Sequence, residues 1–495
     1  MTVDGAPSAV DHDHGDDPDR VNTGDHGGPS VDGGELGRGQ ASIGDHGGRW
    51  VEGGELGRCE ASIGDHGGRW VDGGELGRCE ASIGDRSGPS VDGGELGLGP
   101  DSRGLGHHGG PSTVGFDERP DLAAVPGRWA WAEVDLGAIR HNLAWVAEQV
   151  APSSVWAVVK ANGYGHGAVP VSRAALDAGA AGLAVALVQE GVELRGAGID
   201  APILVLSQQP PEQFAEMVIH HLTPVFHDAS AVDNFAEQVR SVGHVGVAAH
   251  VKVDTGMHRV GAAPDEAPSV IAAVHRAAPW LRLDGVMTHF ACADEPDHPL
   301  NERQLDVFGE VLRVSPLGVA DLHAANSATA LANPAARFDR VRLGIALYGI
   351  VPGDGVRHLC DGLRPALSLR ARVSRVHRVP AGETVSYGAR WMAERDTTVA
   401  AVPIGYADGV PRRLGLTGGE VLVGGRRRPI LGVVTMDQLM VDCGDDDVSV
   451  GDPVVLLGEQ GGERITADEW AERLGTIPYE IVCGISARVE RRYLV

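Results

Sequence analysis

The sequence contains very little lysine. Only two of its 42 basic residues, Lys160 and Lys252, are lysine, and the other 40 are arginine. Arginine cannot act as an amine nucleophile, whereas the surroundings of a lysine can tune its amine to attack a carbonyl or to form a carbamate. Both lysines end apolar runs, VWAVVK and AAHVK, and lysine is rarely buried unless it is paired or functional. Lys160 is therefore the first candidate for covalent chemistry, although two lysines kept by chance on a solvated surface is the simpler alternative.

Other absences exclude whole classes of protein. No apolar stretch approaches the roughly 20 residues that span a bilayer, and the acidic N-terminus lacks the apolar core of a secretory signal. A net charge of −26 argues against nucleic acid or an anionic membrane as the main partner. The six cysteines include no C-x-x-C pair, so we expect no disulfide framework, no zinc site and a cytoplasmic protein. The hydrophobic fraction of 42% suits a globular protein.

Residues 1–122 differ in character from the rest of the chain. A 20-residue unit, DHGGRWVDGGELGRCEASIG in its copy at Asp65, also begins at Asp25 and Asp45, and a degraded copy follows from Asp85. The segment holds 24 acidic and 9 basic residues, which gives −15 of the total charge of −26. Its glycine-rich, aliphatic-poor composition cannot offset chain entropy by burial, so we predict a disordered tail.

Three interpretations of the repeat remain open. It loosely resembles calcium-binding glycine/aspartate repeats, but those have a nine-residue period. Its histidines suit at most weak metal binding, because their spacing is not that of a ligand set. The interpretation we favour is a dispensable solvated extension, and a start codon near residues 114–125 would leave it untranslated.

Residues 123–362 show the pattern of a (β/α)8 barrel. The segment AEVDLGAIRHNLAWVAEQV predicts a strand and then a helix capped by Asp135, with an apolar face. Eight short apolar runs then alternate with helical stretches, which is typical of a parallel sheet covered by helices. The runs are 155–160, 182–187, 203–206, 222–226, 246–253, 284–290, 320–324 and 341–345.

Residues 363–495 follow a different pattern. Alternating, β-branched segments such as ALSLRARVSRVHRV and TTVAAVPIGYADG are separated by glycines. This pattern predicts a second, mostly antiparallel β domain.

The predicted barrel places a reactive amine opposite a phosphate site. Active sites of such barrels lie at the C-terminal strand ends, often with phosphate bound by the loops after strands 7 and 8. Lys160 ends the first barrel strand and Tyr164 follows in the turn GYGHG, whereas HAANSA offers Ser327 and RLGIALYG offers the amides of Gly344 and Ile345. An amine facing a phosphate site is what an enzyme dependent on pyridoxal 5′-phosphate (PLP) requires.

Residues 129–495 closely resemble alanine racemase, a fold-type III PLP enzyme and an isomerase. The segments that carry the resemblance include WAEVDLGAIRHNL, AVVKANGYGHG, VKVDTGMHRVG, THFACADE, HAANSA, VRLGIALYG, VSYGARW, PIGYADG, TMDQLMVD and YEIVCGISARV. The resemblance implies a homodimer with composite active sites that interconverts L- and D-alanine and so supplies D-alanine for peptidoglycan.

The resemblance also implies a role for each matching residue. Lys160 binds the PLP aldehyde and serves as one base, and Tyr387 of the partner subunit is the second base, which His289 and Arg342 support. A free tyrosine has a pKa of about 10, so such a base needs cationic or hydrogen-bonding neighbours. An arginine at the pyridine nitrogen can only donate, so it leaves that nitrogen unprotonated and weakens the ring as an electron sink. The implied cofactor set is Lys160, Tyr164, Ser327, Gly344, Ile345, Tyr479, Arg342, Asn326 and His323, and the substrate set is Arg259, Met436, Asp437 and Tyr406.

Two of these assignments have a plain structural alternative. Lys252 resembles a lysine that is carbamylated in many members, but a buried pair with Asp254 is the alternative. His323 resembles a neighbour of the cofactor ring, but a buried structural histidine is the alternative.

Three rival functions are compatible with the same barrel. A PLP-dependent decarboxylase is disfavoured by the VSYG and TMDQ segments, and a racemase of broader specificity is the closest alternative. A non-catalytic PLP-carrier protein would lack the second β domain that residues 366–495 predict.

Overall fold

The computed structural model describes residues 127–318 and 320–495. The predicted disorder of residues 1–122 and their repeats therefore lie outside the described residues.

Eight parallel strands form the predicted barrel. They are β2 (Ser154–Val158), β3 (Gly182–Val185), β4 (Ile203–Val205), β5 (Val225–Phe226), β6 (Val247–Lys252), β7 (Leu281–Met287), β8 (Asp321–His323) and β9 (Arg340–Leu343). They pair in two runs of four, β4-β3-β2-β9 and β5-β6-β7-β8. Backbone bonds connect the two runs on both sides: Val205 N–H donates to Thr223 O, and Arg342 N–H donates to Ala325 O. All eight predicted strands are present.

Helices, and one short segment (α2) whose backbone is mostly left-handed, accompany the barrel strands. They are α1 (Leu136–Val150), α2 (Lys160–Tyr164), α3 (Ala168–Asp177), α4 (Val188–Gly196), α5 (Phe214–Ile219), α6 (Ala229–Ser241), α7 (Ala267–Arg276), α8 (Pro299–Val314) and α9 (Ser327–Ala332). The Asp135 carboxylate accepts from Ala138 N–H at 2.9 Å and so caps α1 as predicted. Helix α8 buries Phe308 and Val311, two of the apolar residues that its sequence places on one side.

The C-terminal part of the chain, from residue 367, is the expected β domain. Its elements are β10 (Leu367–Arg372), β11 (Arg375–Val379), β12 (Thr384–Val385), β13 (Trp391–Met392), β14 (Thr397–Val402), β15 (Glu420–Val423), β16 (Arg426–Pro429), β17 (Leu439–Gly444), β18 (Pro453–Gln460), β19 (Glu463–Ile465), α10 (Ala467–Leu474), α11 (Pro478–Cys483) and β20 (Glu490–Leu494). The pairings of β10–β19 with one another are all antiparallel. Its buried apolar side chains form a core separate from that of the barrel.

The first strand of the described chain belongs to this β domain. Strand β1 (Ala130–Asp135) pairs antiparallel with β10 and parallel with the last strand, β20. The chain therefore crosses from the β domain into the barrel at Asp135, where α1 begins. None of the helices in the described part of the chain is long and apolar enough to cross a membrane.

Candidate active site

A cavity of about 490 Å³ lies at the C-terminal ends of the barrel strands. The predicted site residues that line it are Lys160, Tyr164, Lys252, Arg259, His289, Asn326, Ser327, Arg342, Gly344, Ile345 and Tyr479. The other lining residues described are Val158, Ala186, Leu206, Ser207, Val260 and Met287. Two lysines and two arginines therefore face this space while no carboxylate lines it, so the cavity favours an anionic ligand.

Lys160 stands where β2 ends and a left-handed turn begins. Ala161 and Asn162 both have a φ of 53°, and Tyr164 has a φ of 49°. The turn is closed by Gly167 N–H, which donates to Asn162 O, and by Ala168 N–H, which donates to the Asn162 side chain. Burial, and then the nearby Arg259 guanidinium, lower the pKa of the Lys160 amine from its ordinary value. A lower pKa increases the neutral, nucleophilic fraction of the amine.

Arg342 is fixed at the end of β9 by five hydrogen bonds, four of them buried. Its guanidinium donates to the carbonyls of Thr288, His323 and Ala324 at 2.8–3.0 Å. It also donates to His289 Nδ1 at 3.0 Å and to His323 Nδ1 at 3.1 Å. Burial lowers the pKa of Arg342 to about 10, so the group remains a cation at neutral pH. Arg342 therefore lines the cavity as a fixed donor.

A chain of buried polar side chains leads from Arg342 into the barrel. His323 Nε2 lies 2.8 Å from His250 Nδ1, and His250 Nε2 lies 3.3 Å from the Asp284 carboxylate. Because a guanidinium can only donate, His323 Nδ1 must accept, and this assigns its proton to Nε2. The proton of His250 then lies on Nε2 and faces Asp284. His323 is thus buried beneath Arg342 and does not line the cavity.

The same reasoning assigns the proton of His289. Its Nδ1 accepts from Arg342, which leaves Nε2 as the N–H donor. Burial, and then the charge of Arg342, lower the pKa of His289 well below its ordinary value. His289 is therefore neutral near pH 7 and presents one fixed donor.

Hydroxyl groups and backbone amides meet at another part of the cavity wall. Ser327 Oγ accepts from Gly344 N–H at 2.9 Å and from Ala346 N–H at 3.3 Å. A side chain at Gly344 would meet the Tyr164 hydroxyl, because a Cβ there would lie 2.9 Å from its oxygen. The ring of Tyr479, from helix α11, lies 6.2 Å from the Tyr164 ring. This cluster of small and hydroxyl-bearing residues lies where the barrel pattern predicts phosphate.

Lys252 is buried among other cations. Burial, and then the charges of Arg342, Arg259 and Lys160, lower its pKa to about 8. Asp254, the alternative partner, uses its carboxylate to accept the N–H groups of residues 256–258 at 3.0 Å. Among the described residues no ion pair joins Asp254 to Lys252. The amine therefore lacks the paired carboxylate that a buried lysine normally has.

Four predicted site residues lie outside the cavity, on the β domain. Tyr387 is 71% exposed, Met436 is 52% exposed and Tyr406 is 40% exposed, and Asp437 accepts from Arg488 at 2.7 Å. Backbone bonds connect the loops of Tyr406 and Met436, since Tyr406 N–H donates to Thr435 O. Ser386 Oγ donates to Val433 O and attaches the Tyr387 turn to the same surface. One chain thus does not bring these four residues to the cavity of its own barrel.

Sequence reasoning missed three residues that support the site. His250 lies two positions before Lys252 on β6, and residues two apart on a strand point to the same side, so the spacing contained that signal. Asp284 is 34 residues from His250, and no local pattern relates them. Glu190, which binds the backbone next to Lys160, had no signal beyond its place in the first turn of a helix.

Comparison with known proteins agrees with this geometry. Residues 134–352 match the family model of the alanine racemase N-terminal domain, and residues 366–493 match that of the C-terminal domain. An alanine racemase of Symbiobacterium thermophilum is 46% identical over 370 residues, which cover 74% of this chain and 97% of the relative. One from Thermobifida fusca is 44% identical over 373 residues, which cover 74% and 98%.

Solved structures give the same result. The alanine racemase of Streptomyces lavendulae has a TM-score of 0.70 at 40% identity and covers 75% of this chain and 98% of its own. That of Bacillus anthracis with bound L-Ala-P has a TM-score of 0.70 at 39% identity and covers 75% and 96%. The chain therefore belongs to the alanine racemase family, a family of isomerases built from a TIM-like barrel and a C-terminal β domain.

Proposed function

We propose that this protein interconverts L- and D-alanine with PLP as its cofactor. The observation that carries the proposal is the cavity with a buried amine, two arginines and no carboxylate in its wall. Both a phosphorylated cofactor and an amino-acid carboxylate are anions that such a wall stabilises.

The residues present fit PLP. Lys160 has a half-buried amine of lowered pKa that suits covalent binding of an aldehyde. Ser327, Tyr164 and the Gly344 turn offer the hydroxyls and close backbone that a phosphate needs, and Arg342 supplies a fixed donor for the ring nitrogen. When bound, PLP makes the Cα–H bond of an attached amino acid acidic enough to exchange.

Racemisation needs a proton taken from one face of Cα and returned to the other. We assign one face to Lys160 and the other to Tyr387 of the partner subunit. The Nε2–H of His289 is suited to donate to the Tyr387 oxygen, and this would stabilise the phenolate that a tyrosine base requires. Arg342 holds His289 in that tautomer and, as a permanent donor, would favour an unprotonated ring nitrogen in bound PLP.

Substrate binding is assigned to both subunits. Arg259 lines the cavity and would bind the substrate carboxylate from the barrel side. Met436, Asp437 and Tyr406 of the partner subunit would narrow the entrance. The exposed Tyr387, Met436 and Tyr406 side chains lie on one surface, which supports a homodimer in which that surface is covered.

We assign a carbamate to Lys252. Its pKa of about 8 leaves a useful neutral fraction near neutral pH, and only the neutral amine reacts with carbon dioxide. As a carbamate, the Lys252 side chain would be negatively charged, so Arg259 and Arg342 would attract it instead of repelling it. The carbamate would also orient Arg259. Mass spectrometry of the intact chain with and without bicarbonate tests this, since a labile carbon dioxide adduct must appear and must be absent in Lys252→Arg.

The activity is tested with purified protein, PLP and L-alanine in deuterated water. We expect deuterium at Cα by NMR and D-alanine by chiral chromatography, with early deuterium mainly in the D-isomer if two separate bases act. Lys160→Ala is the inactive control. Untouched alanine with bound PLP would refute the assignment to alanine, and a panel of other amino acids would then separate a racemase of a different amino acid from a non-catalytic PLP-carrier protein.

The cellular role follows from the same activity. We propose that the D-alanine supplies peptidoglycan synthesis. Expression of the chain should rescue a bacterial strain that depends on added D-alanine, whereas expression of Lys160→Ala should not.

A further inference from the structure

Glu190 connects the ends of two neighbouring barrel strands next to Lys160. Its Oε1 accepts from the N–H of Ala161, the residue after Lys160, at 2.6 Å. Its Oε2 accepts from Ala186 N–H at 2.8 Å and from Leu187 N–H at 3.1 Å, just after β3. One carboxylate therefore binds three backbone donors from two different loops.

This arrangement goes beyond an ordinary helix cap. An acidic residue in the first turn of α4 stabilises that helix through the amides that precede it. Only Oε2 serves this purpose, whereas Oε1 is used for the loop after β2. The Ala161 bond therefore links α4 to the turn that carries Lys160.

The turn needs such an anchor because its backbone is unfavourable. Ala161 and Asn162 are left-handed at a φ of 53°, a region that costs energy for residues with a side chain. Such conformations persist where the surroundings hold them, and Ala161 has no side-chain polar group of its own to contribute. The Glu190 carboxylate is the group that fixes its N–H.

Glu190 also acts on the Lys160 amine by charge. Its carboxylate raises the pKa of Lys160 and so opposes burial and Arg259, which are the two larger effects and lower it. The Cys483 thiol also lies near Lys160, but burial raises its pKa, so it is uncharged near neutral pH, and Lys252 is a further cation nearby. No carboxylate lines the cavity itself, so Glu190 is an anion held just behind its wall.

We propose that Glu190 is a positioning residue that holds the left-handed turn after Lys160 and keeps a negative charge beside that amine. The proposal rests on the proposed role of Lys160 as the amine that binds the cofactor. Glutamine cannot replace it, because both oxygens face N–H donors and an amide group would turn one acceptor into a donor.

The two lysines of the chain make the charge effect measurable without cofactor. Cofactor-free wild type and Glu190→Gln are treated with an amine acylating reagent across a pH series, and peptide mass spectrometry follows Lys160 and Lys252 separately. We expect the Lys160 profile of the variant to move to lower pH by more than that of Lys252, which is the internal reference. A Lys160 profile that does not move would overturn the charge role.

The positioning role is tested by PLP affinity. A hydrogen bond to a charged group is worth about tenfold or more in an equilibrium constant, so we expect Glu190→Gln to bind PLP about tenfold more weakly. Glu193→Gln is the matched control one turn along α4, where the side chain is exposed, and it should stay within about twofold of wild type. Wild-type PLP affinity in Glu190→Gln would overturn the positioning role.

A shorter acid separates the two effects. Glu190→Asp keeps the charge but loses the reach to Ala161, so it should weaken PLP binding while the Lys160 profile stays close to wild type. It also supplies the test of the turn if Glu190→Gln does not fold. Failure of the wild type to bind PLP through Lys160 would refute the proposed function, whereas the acylation profiles still decide the charge role of Glu190.

Discussion

Arg342 illustrates how many neighbours one guanidinium can hold in place, since its two Nη groups donate five hydrogen bonds. Sequence similarity assigns it to the cofactor ring, but the five acceptors that fix it lie on residues at the ends of β7 and β8: Thr288, His289, His323 and Ala324. These partners are separated by up to 54 residues, so no local pattern reveals them. The residue type and its position at a strand end were predictable, and the tautomers that it imposes on two histidines were not.

Arg342→Lys tests this fixed arrangement. Lysine has no planar fork, so several buried acceptors lose their donor, and we expect about 3 kcal/mol lower stability together with weaker PLP binding. Urea unfolding and PLP titration measure the two effects. Arg313→Lys, at an exposed position in the last turn of α8, should change neither, and equal effects of both substitutions would contradict this account.

His166 should make the protein less stable in mild acid. It is fully buried, with Nδ1 against Tyr164 O at 2.9 Å, and burial lowers its pKa from 6.5 to about 4. Between these two values the unfolded chain binds a proton that the folded chain does not, so stability falls as pH drops from about 6.5 to about 4. The full loss from this residue is about 3 kcal/mol.

His166→Asn isolates that contribution, because the asparagine amide can still donate to Tyr164 O but does not titrate. Urea unfolding at several pH values should show a loss between pH 6.5 and 4 that is smaller by about 3 kcal/mol in the variant. The other buried histidines remain in both proteins, so they cancel in the comparison. If the free energy of unfolding falls equally in both proteins between pH 6.5 and 4, burial does not lower the pKa of His166.

At the scale of elements, local pattern predicts strands and helices well but not their distant partners. Each of the eight apolar runs became a barrel strand, because a strand buried on both faces is continuously apolar in the sequence. The sequence of β1 also predicts a strand, but its partners β10 and β20 lie far along the chain. Its membership of the β domain depends on tertiary pairing that periodicity does not contain.

The contact between the Lys160 turn and α11 is another such pairing. Gly165 has a φ of +81°, and a Cβ there would lie 2.2 Å from Val482 O. Gly198 has a similar φ of +76° but open space around it. The two glycines therefore share a backbone requirement and differ in packing.

Gly165→Ala and Gly198→Ala separate these two effects. Both should lose about 1 kcal/mol from the left-handed backbone, and Gly165→Ala should lose about 2 kcal/mol more because α11 must move. Gly165→Ala should also weaken PLP binding, because α11 carries Tyr479 and because Tyr164 directly precedes Gly165 in the chain. Equal free energies of unfolding in the two variants would show that α11 can move away from residue 165 without a loss of stability.

At the scale of the whole molecule, one chain holds two incomplete halves of the proposed site. The barrel cavity contains Lys160, whereas Tyr387 projects from the β domain with 71% of its surface exposed. A large aromatic side chain that is exposed beside Met436 and Tyr406 is typical of a surface that another chain covers. The resemblance to alanine racemase supplied this division of roles, which composition and periodicity alone do not contain.

Mixing two inactive variants tests whether the site is shared. Lys160→Ala and Tyr387→Phe are each expected to lose racemase activity, but a hybrid dimer would combine one intact barrel with one intact Tyr387. Random exchange makes about half of the dimers hybrid, and each has one intact site, so the mixture should recover about one quarter of wild-type activity. Lys160→Ala mixed with Arg342→Lys is the matched control, because both changes lie in the barrel half and every hybrid site keeps a damaged barrel. Subunit exchange is verified by mass spectrometry of differently tagged chains, and no recovery despite proven exchange would refute a site built from two subunits.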